Sequence, residues 1–189
     1  MTEAANPRSP ETLEIDVSVA CPLWTEALAD AERLSREAAA AAYKAAGDGP
    51  GPAEASIVLA DDAFVRGLNR EYRNQDKPTN VLAFPADTPM GGPADGLVGG
   101  AAETVTGAPR MLGDIVVAYE TASREAADQM KPLGDHLCHL AVHGMLHLLG
   151  HDHRTASQAA AMEKLEIDVL AGLEIANPYS GDSTANAGN

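Results

Sequence analysis

From Thr121 to Leu173 the chain reads as one helix after another, and all four strand-like segments lie before it. "TASREAADQM" is helical, "GDHLCHLAVHGMLHLLG" is helical with Asp135 as a candidate cap and Gly150 as a stop, and "SQAAAMEKLEIDVLAGL" (157–173) is amphipathic. Upstream, "LEIDVSVA" (13–20) alternates apolar and polar residues as a half-buried strand does. "AEASIVLA" (53–60), "TNVLAFP" (79–85) and "LGDIVVAYE" (112–120) supply three more strands. Between them, the Ala-rich run 25–47 predicts one long helix. A second helix is predicted over 61–74, capped by Asp61, with Phe64, Leu68 and Tyr72 four apart on one face. A doubly wound parallel sheet would keep alternating strand and helix to its end. A helical last third instead argues for an α+β fold, a mixed four-stranded sheet packed against about five helices.

The organisation expected is a single domain over 12–175, with disordered ends at 1–11 and 176–189. Residues 86–110 carry six glycines and three prolines, and read as a long flexible loop. The 28 acidic and 13 basic residues give a net charge of −15, which excludes a general polyanion binder. Nucleic acid would have to meet a local basic patch or a metal. Cys21 and Cys138 lie far apart and outside any CxxC, so they read as buried thiols of a reducing compartment. The N-terminus lacks the pattern of a secretory signal, and no run of about 18 apolar residues predicts a membrane span. A cytoplasmic protein is expected.

All six histidines fall between His136 and His153. His143 and His147 are four apart on the predicted helix, so both face one side and their ring nitrogens can meet at one metal. Glycine tolerates the left-handed conformation of a helix stop. Gly150 therefore lets the chain leave sharply and bring His153 back over the pair. Three protein ligands with an open position are the arrangement of a catalytic zinc. Imidazole alone suits nickel, copper and iron too.

His139 is eight residues from His147, roughly 12 Å along the axis, too far for all three helical histidines to share one ion. It is expected to pack or to support a ligand from behind. His136 reads as a first-turn surface residue and His151 as an exposed turn residue. A zinc protease of the HExxH type carries its general base after the first histidine, where this chain has Gly144. Asp114 and Asp152 are candidate carboxylates for orienting a ligand histidine or a water; a strand-end hydrogen bond and a turn cap explain them equally well.

"LNREYRNQDKPTNVLAFP" concentrates Arg70, Arg73 and Lys77 in an acidic chain. Cations at a helix C-terminus satisfy its dipole. They also make a phosphate clamp, with arginine's planar fork of donors. Spacing alone does not choose between the two.

"YRNQDKPTNVLAFP", "LGDIVVA" and "HGMLHLLGHDH", in this order, resemble the YbeY family of bacterial metal-dependent endoribonucleases, over about residues 50–175. The resemblance implies an α+β fold, one zinc ion on His143, His147 and His153, and Arg73 as the functional arginine. It implies a single-strand-specific endoribonuclease acting on a ribosomal RNA precursor, in maturation of the 3′ end of the small-subunit RNA and in ribosome quality control. A small-subunit ribosomal protein and a ribosome-associated GTPase are the implied partners. The Gly-rich loop is longer than is usual there, and His151 stands where many members have an aromatic residue. Two other readings stand beside this one: a zinc hydrolase of a different substrate, and a non-catalytic assembly factor tied together by its metal.

Overall fold

A computed structural model describes residues 13–47, 49, 51–86 and 108–180. The elements run β1 (Leu13–Val19), α1 (Leu23–Ala27), α2 (Ala31–Ala45), β2 (Ala53–Ala60), α3 (Asp62–Arg73), β3 (Val81–Pro85), β4 (Arg110–Ala118), α4 (Tyr119–Asp128), α5 (Leu133–Leu148) and α6 (Ala156–Gly172). The sheet order is β1-β2-β4-β3. β1 and β4 run parallel to β2, and β3 runs antiparallel to β4 at the edge. The mixed α+β sheet expected from the sequence is therefore the one observed, with six helices among the described residues.

The extra helix comes from a break in the predicted 25–47 run. Leu28 is extended (φ −147°, ψ 90°), and the chain restarts at Ala31. The break seats Trp24, which is fully buried and donates its indole N–H to the Ala60 carbonyl at 3.0 Å. A buried indole keeps its apolar ring inside only if that N–H finds an acceptor. Local helix propensity does not register a partner 36 residues away.

Alternation along the strands sorts the side chains into two layers. Ile57, Leu59, Ile115 and Val117 face the main core with α2 and α5. Ala60, Leu82, Val116 and Ala118 face Val65 of α3 on the other side. The inward stripe of α3 is thus Val65 and Asn69, with Leu68 beside it, while Phe64 and Tyr72 are half exposed. Asp61 does cap α3, accepting from Phe64 N at 2.7 Å.

Other boundaries move for identifiable reasons. Tyr119 and Glu120 begin α4 instead of ending β4. Arg110 already belongs to β4, so the predicted loop ends earlier; its residues 87–107 lie outside the described residues, as do 1–12 and 181–189. Asp135 lies in the first turn of α5, and Pro132 occupies the cap. Residues 177–180, expected at the start of a disordered tail, form a turn.

α5 is the helix the molecule packs around, with ten buried residues. Gly144 sits directly on β4: a Cβ there would lie 2.8 Å from Ile115 Cγ2. Ile115 is β-branched and fully buried, so it yields little. Gly144→Val is expected to destabilise the fold by about 1–3 kcal/mol through overpacking. The urea midpoint measures this, and an unchanged midpoint would contradict the close contact.

Candidate metal centre

α5 carries His136, His139, His143 and His147 along one flank, while Leu137, Ala141, Gly144 and Leu148 share the stripe packed into the core. The helix ends in a two-bond stop: Gly150 N donates to His147 O at 3.0 Å and His151 N to Leu146 O at 3.0 Å. This motif requires a left-handed residue, and Gly150 has φ +88°. Three residues beyond Gly150 comes His153, and Thr155 then starts α6 with a reciprocal capping box to Gln158. His153 is held between one helix stop and the next helix start.

The outcome is convergence. One ring nitrogen from each of His143, His147 and His153 lies within 4.8 Å of the other two. His143 Nε2 and His147 Nε2 are 3.1 Å apart. Zn–N bonds of 2.0–2.1 Å in a tetrahedron place nitrogens roughly 3.3 Å from one another, so the pair fits such an ion. Burial, then the neighbouring His143 and His153, lowers the pKa of His147 to about 4. It is therefore neutral at neutral pH, the form a metal ligand needs.

A buried carboxylate stands behind this pair. Glu166 of α6 is 1% exposed and accepts from His143 Nδ1 at 2.7 Å and from His139 Nε2 at 3.1 Å. Tyr179, in the turn after α6, donates its hydroxyl to the same carboxylate. Burial alone would raise the Glu166 pKa, but the hydrogen bonds from His139, His143 and Tyr179 prevail and hold it at about 2. His143 thus turns Nδ1 toward Glu166 and Nε2 toward His147. The donor set fits a divalent metal.

Sequence reading passed over Glu166. Its signal was a carboxylate on the apolar stripe of α6, four residues from Met162 and three from Val169, both buried. His139 meets the carboxylate oxygen of Glu166 that His143 does not. His136 does not lie at the surface: it is 4% exposed and hydrogen-bonds Glu125 at 3.0 Å, where Asn80 Nδ2 also donates at 2.9 Å.

Among the described residues, no hydrogen bond joins Asp114 or Asp152 to a histidine ring, although the Asp152 charge acts on His147. Asp114 is paired with Ser56 on the strand, one residue from Ile115, and so points to the face away from α5. Asp152 accepts from the backbone N of His153 at 2.8 Å and pairs with Arg154 at 2.7 Å, fixing the turn.

Arg70, Arg73 and Lys77 are exposed, with no ion pair among the described residues. Arg66, four residues before Arg70, is engaged by Asp76 at 2.7 and 2.8 Å. This basic end of α3 lies on the sheet face opposite α5. Tyr72 meets Phe84 of β3 edge to face at 5.5 Å, whereas Ala83, the next residue back, packs against the core that holds α5. The helix that carries the arginines and the helix that carries the histidines thus pack on opposite faces of the sheet.

Comparison with known proteins gives consistent matches. The family described as Endoribonuclease YbeY matches residues 24–174. A Paramagnetospirillum magneticum protein named Endoribonuclease YbeY is 50% identical over 168 residues, 89% of this chain and 96% of that one. A Rhodopseudomonas palustris protein of the same name is 47% identical over 165 residues, 87% of this chain and 80% of that one. A solution structure of a Thermotoga maritima protein aligns at TM-score 0.47 with 21% identity, over 94% of this chain and 100% of that one.

The depressed pKa of His147 sets a pH dependence. As pH falls below the ordinary value of 6.5, the unfolded chain takes up this proton first and the folded chain resists until about 4. Stability of the metal-free protein is therefore fully present above about pH 6.5 and declines toward pH 4. Urea unfolding across that window should show a steeper decline for the wild type than for His147→Gln. Equal slopes would contradict a neutral, half-buried His147.

Proposed function

Because the chain belongs to the endoribonuclease YbeY family, we propose that it is a single-strand-specific, zinc-dependent endoribonuclease. Its substrate in this reading is a ribosomal RNA precursor, cut in maturation of the small-subunit 3′ end and in ribosome quality control. The small ribosomal subunit, one of its proteins and a ribosome-associated GTPase are the proposed partners, in the cytoplasm. No helix among the described residues is long and apolar enough to cross a membrane.

The observation that carries the reading is the convergence of three imidazole nitrogens, with family membership beside it. His143, His147 and His153 hold the metal. Bound there, a zinc ion supplies Lewis acidity at a phosphodiester or at water. Arg73 binds the phosphate and stabilises charge as it builds up, and Arg70 and Lys77 hold neighbouring phosphates. An RNA strand that engages both groups passes from the sheet face that carries α3 to the face that carries α5. Metal and arginines together provide the local positive charge that a −15 chain otherwise lacks.

The test replaces Arg73 and His143 separately with alanine and follows cleavage of a labelled ribosomal RNA 3′ fragment, with chelator-treated controls. Wild-type cleavage should vanish with the metal, and each variant should lose about 100-fold or more. Full activity in both variants would sink the assignment. Metal-dependent stability without any cleavage would turn the reading to an assembly factor.

A further inference from the structure

Glu166 is hard to explain as a stabilising choice. It is a carboxylate at 1% exposure on a helix face whose neighbours Met162, Val169 and Leu170 are buried and apolar. Replacing buried charge by a well-packed apolar group is commonly neutral or stabilising. What distinguishes Glu166 is its set of partners. One oxygen accepts from Nδ1 of His143 at 2.7 Å. The other accepts from Nε2 of His139 at 3.1 Å and from the Tyr179 hydroxyl. Tyr179 is itself anchored: Lys131 Nζ donates to the Pro178 carbonyl next to it.

A neutral imidazole has two tautomers, and only the one protonated at Nδ1 gives Nε2 a lone pair. His143 presents Nε2 to the meeting point of the three rings. We propose that Glu166 is the positioning residue of the three-histidine site: it fixes His143 as the Nδ1–H tautomer, while His139 and Tyr179 hold the carboxylate in place. The turn 177–180 is then part of the support of the metal centre, although it lies 26 residues beyond His153 at Tyr179. This rests on the metal reading above and extends it from the ligands to the residues that orient them.

The experiment uses the full chain without RNA. Histidine ring nitrogens are read by long-range ¹⁵N–¹H NMR in the metal-free protein, and zinc affinity by competition with a chelating dye. The wild type should show His143 protonated at Nδ1. Glu166→Gln should mix the tautomers and weaken zinc about 10–100-fold, as loss of an orienting carboxylate does elsewhere. Tyr179→Phe keeps the carboxylate and should weaken zinc roughly fivefold, the worth of one hydrogen bond. It is the variant to read if Glu166→Gln does not fold.

A purely structural Glu166 would lower metal-free stability while leaving tautomer and zinc affinity at wild-type values, and that result overturns the proposal. So does unchanged zinc affinity in Tyr179→Phe. If the wild type binds zinc with His143 in the stated tautomer yet never cuts RNA, the nuclease reading falls and the positioning role stands.

Discussion

Everything at the three-histidine site depends on how α5 is seated against the sheet. The helix is buried along most of its length, and Gly144 lets its backbone approach Ile115 of β4 closely. With that side fixed, the histidine flank is rotated toward α6 and the turn after Gly150. The same seating explains why position 144 carries no glutamate. In this fold it points into the sheet, where a side chain would run into the apolar Ile115, an unfavourable place for a carboxylate. The lack of a protease-type base is therefore a packing consequence as well as a chemical one.

The polar flank of α5 is served from both neighbouring helices. Glu125 of α4 accepts from His136, and Glu166 of α6 accepts from His139 and His143. Asn80, just before β3, ties into the first pair. The "KPTN" segment and the histidine helix, distant in sequence, are thus parts of one hydrogen-bonded assembly. The basic end of α3 stands apart from it, on the far side of the sheet.

Much of this was legible in the residues. The period-2 strands, the His143–His147 spacing, the Gly150 stop and the returning His153 are local patterns, and local patterns survive into the fold. What escaped depends on partners far along the chain. The break at Leu28 exists because Trp24 needs the Ala60 carbonyl. Glu166 looked like one more charge on an amphipathic helix, since its partners precede it by 23 and 27 residues. Asp114 looked available to the metal, but which face a strand residue takes is decided by its pairing and packing. Tyr179 sits in a polar stretch whose composition suggested no structure at all.

The central claim is that α5, the Gly150 turn and the start of α6 bring three imidazoles to one ion. X-ray absorption at the zinc edge of the zinc-loaded protein tests it most directly. One zinc per chain is expected, with three imidazole nitrogens at about 2.0–2.1 Å and a light-atom ligand in the remaining position. A sulfur ligand, or fewer than three imidazoles, would contradict it.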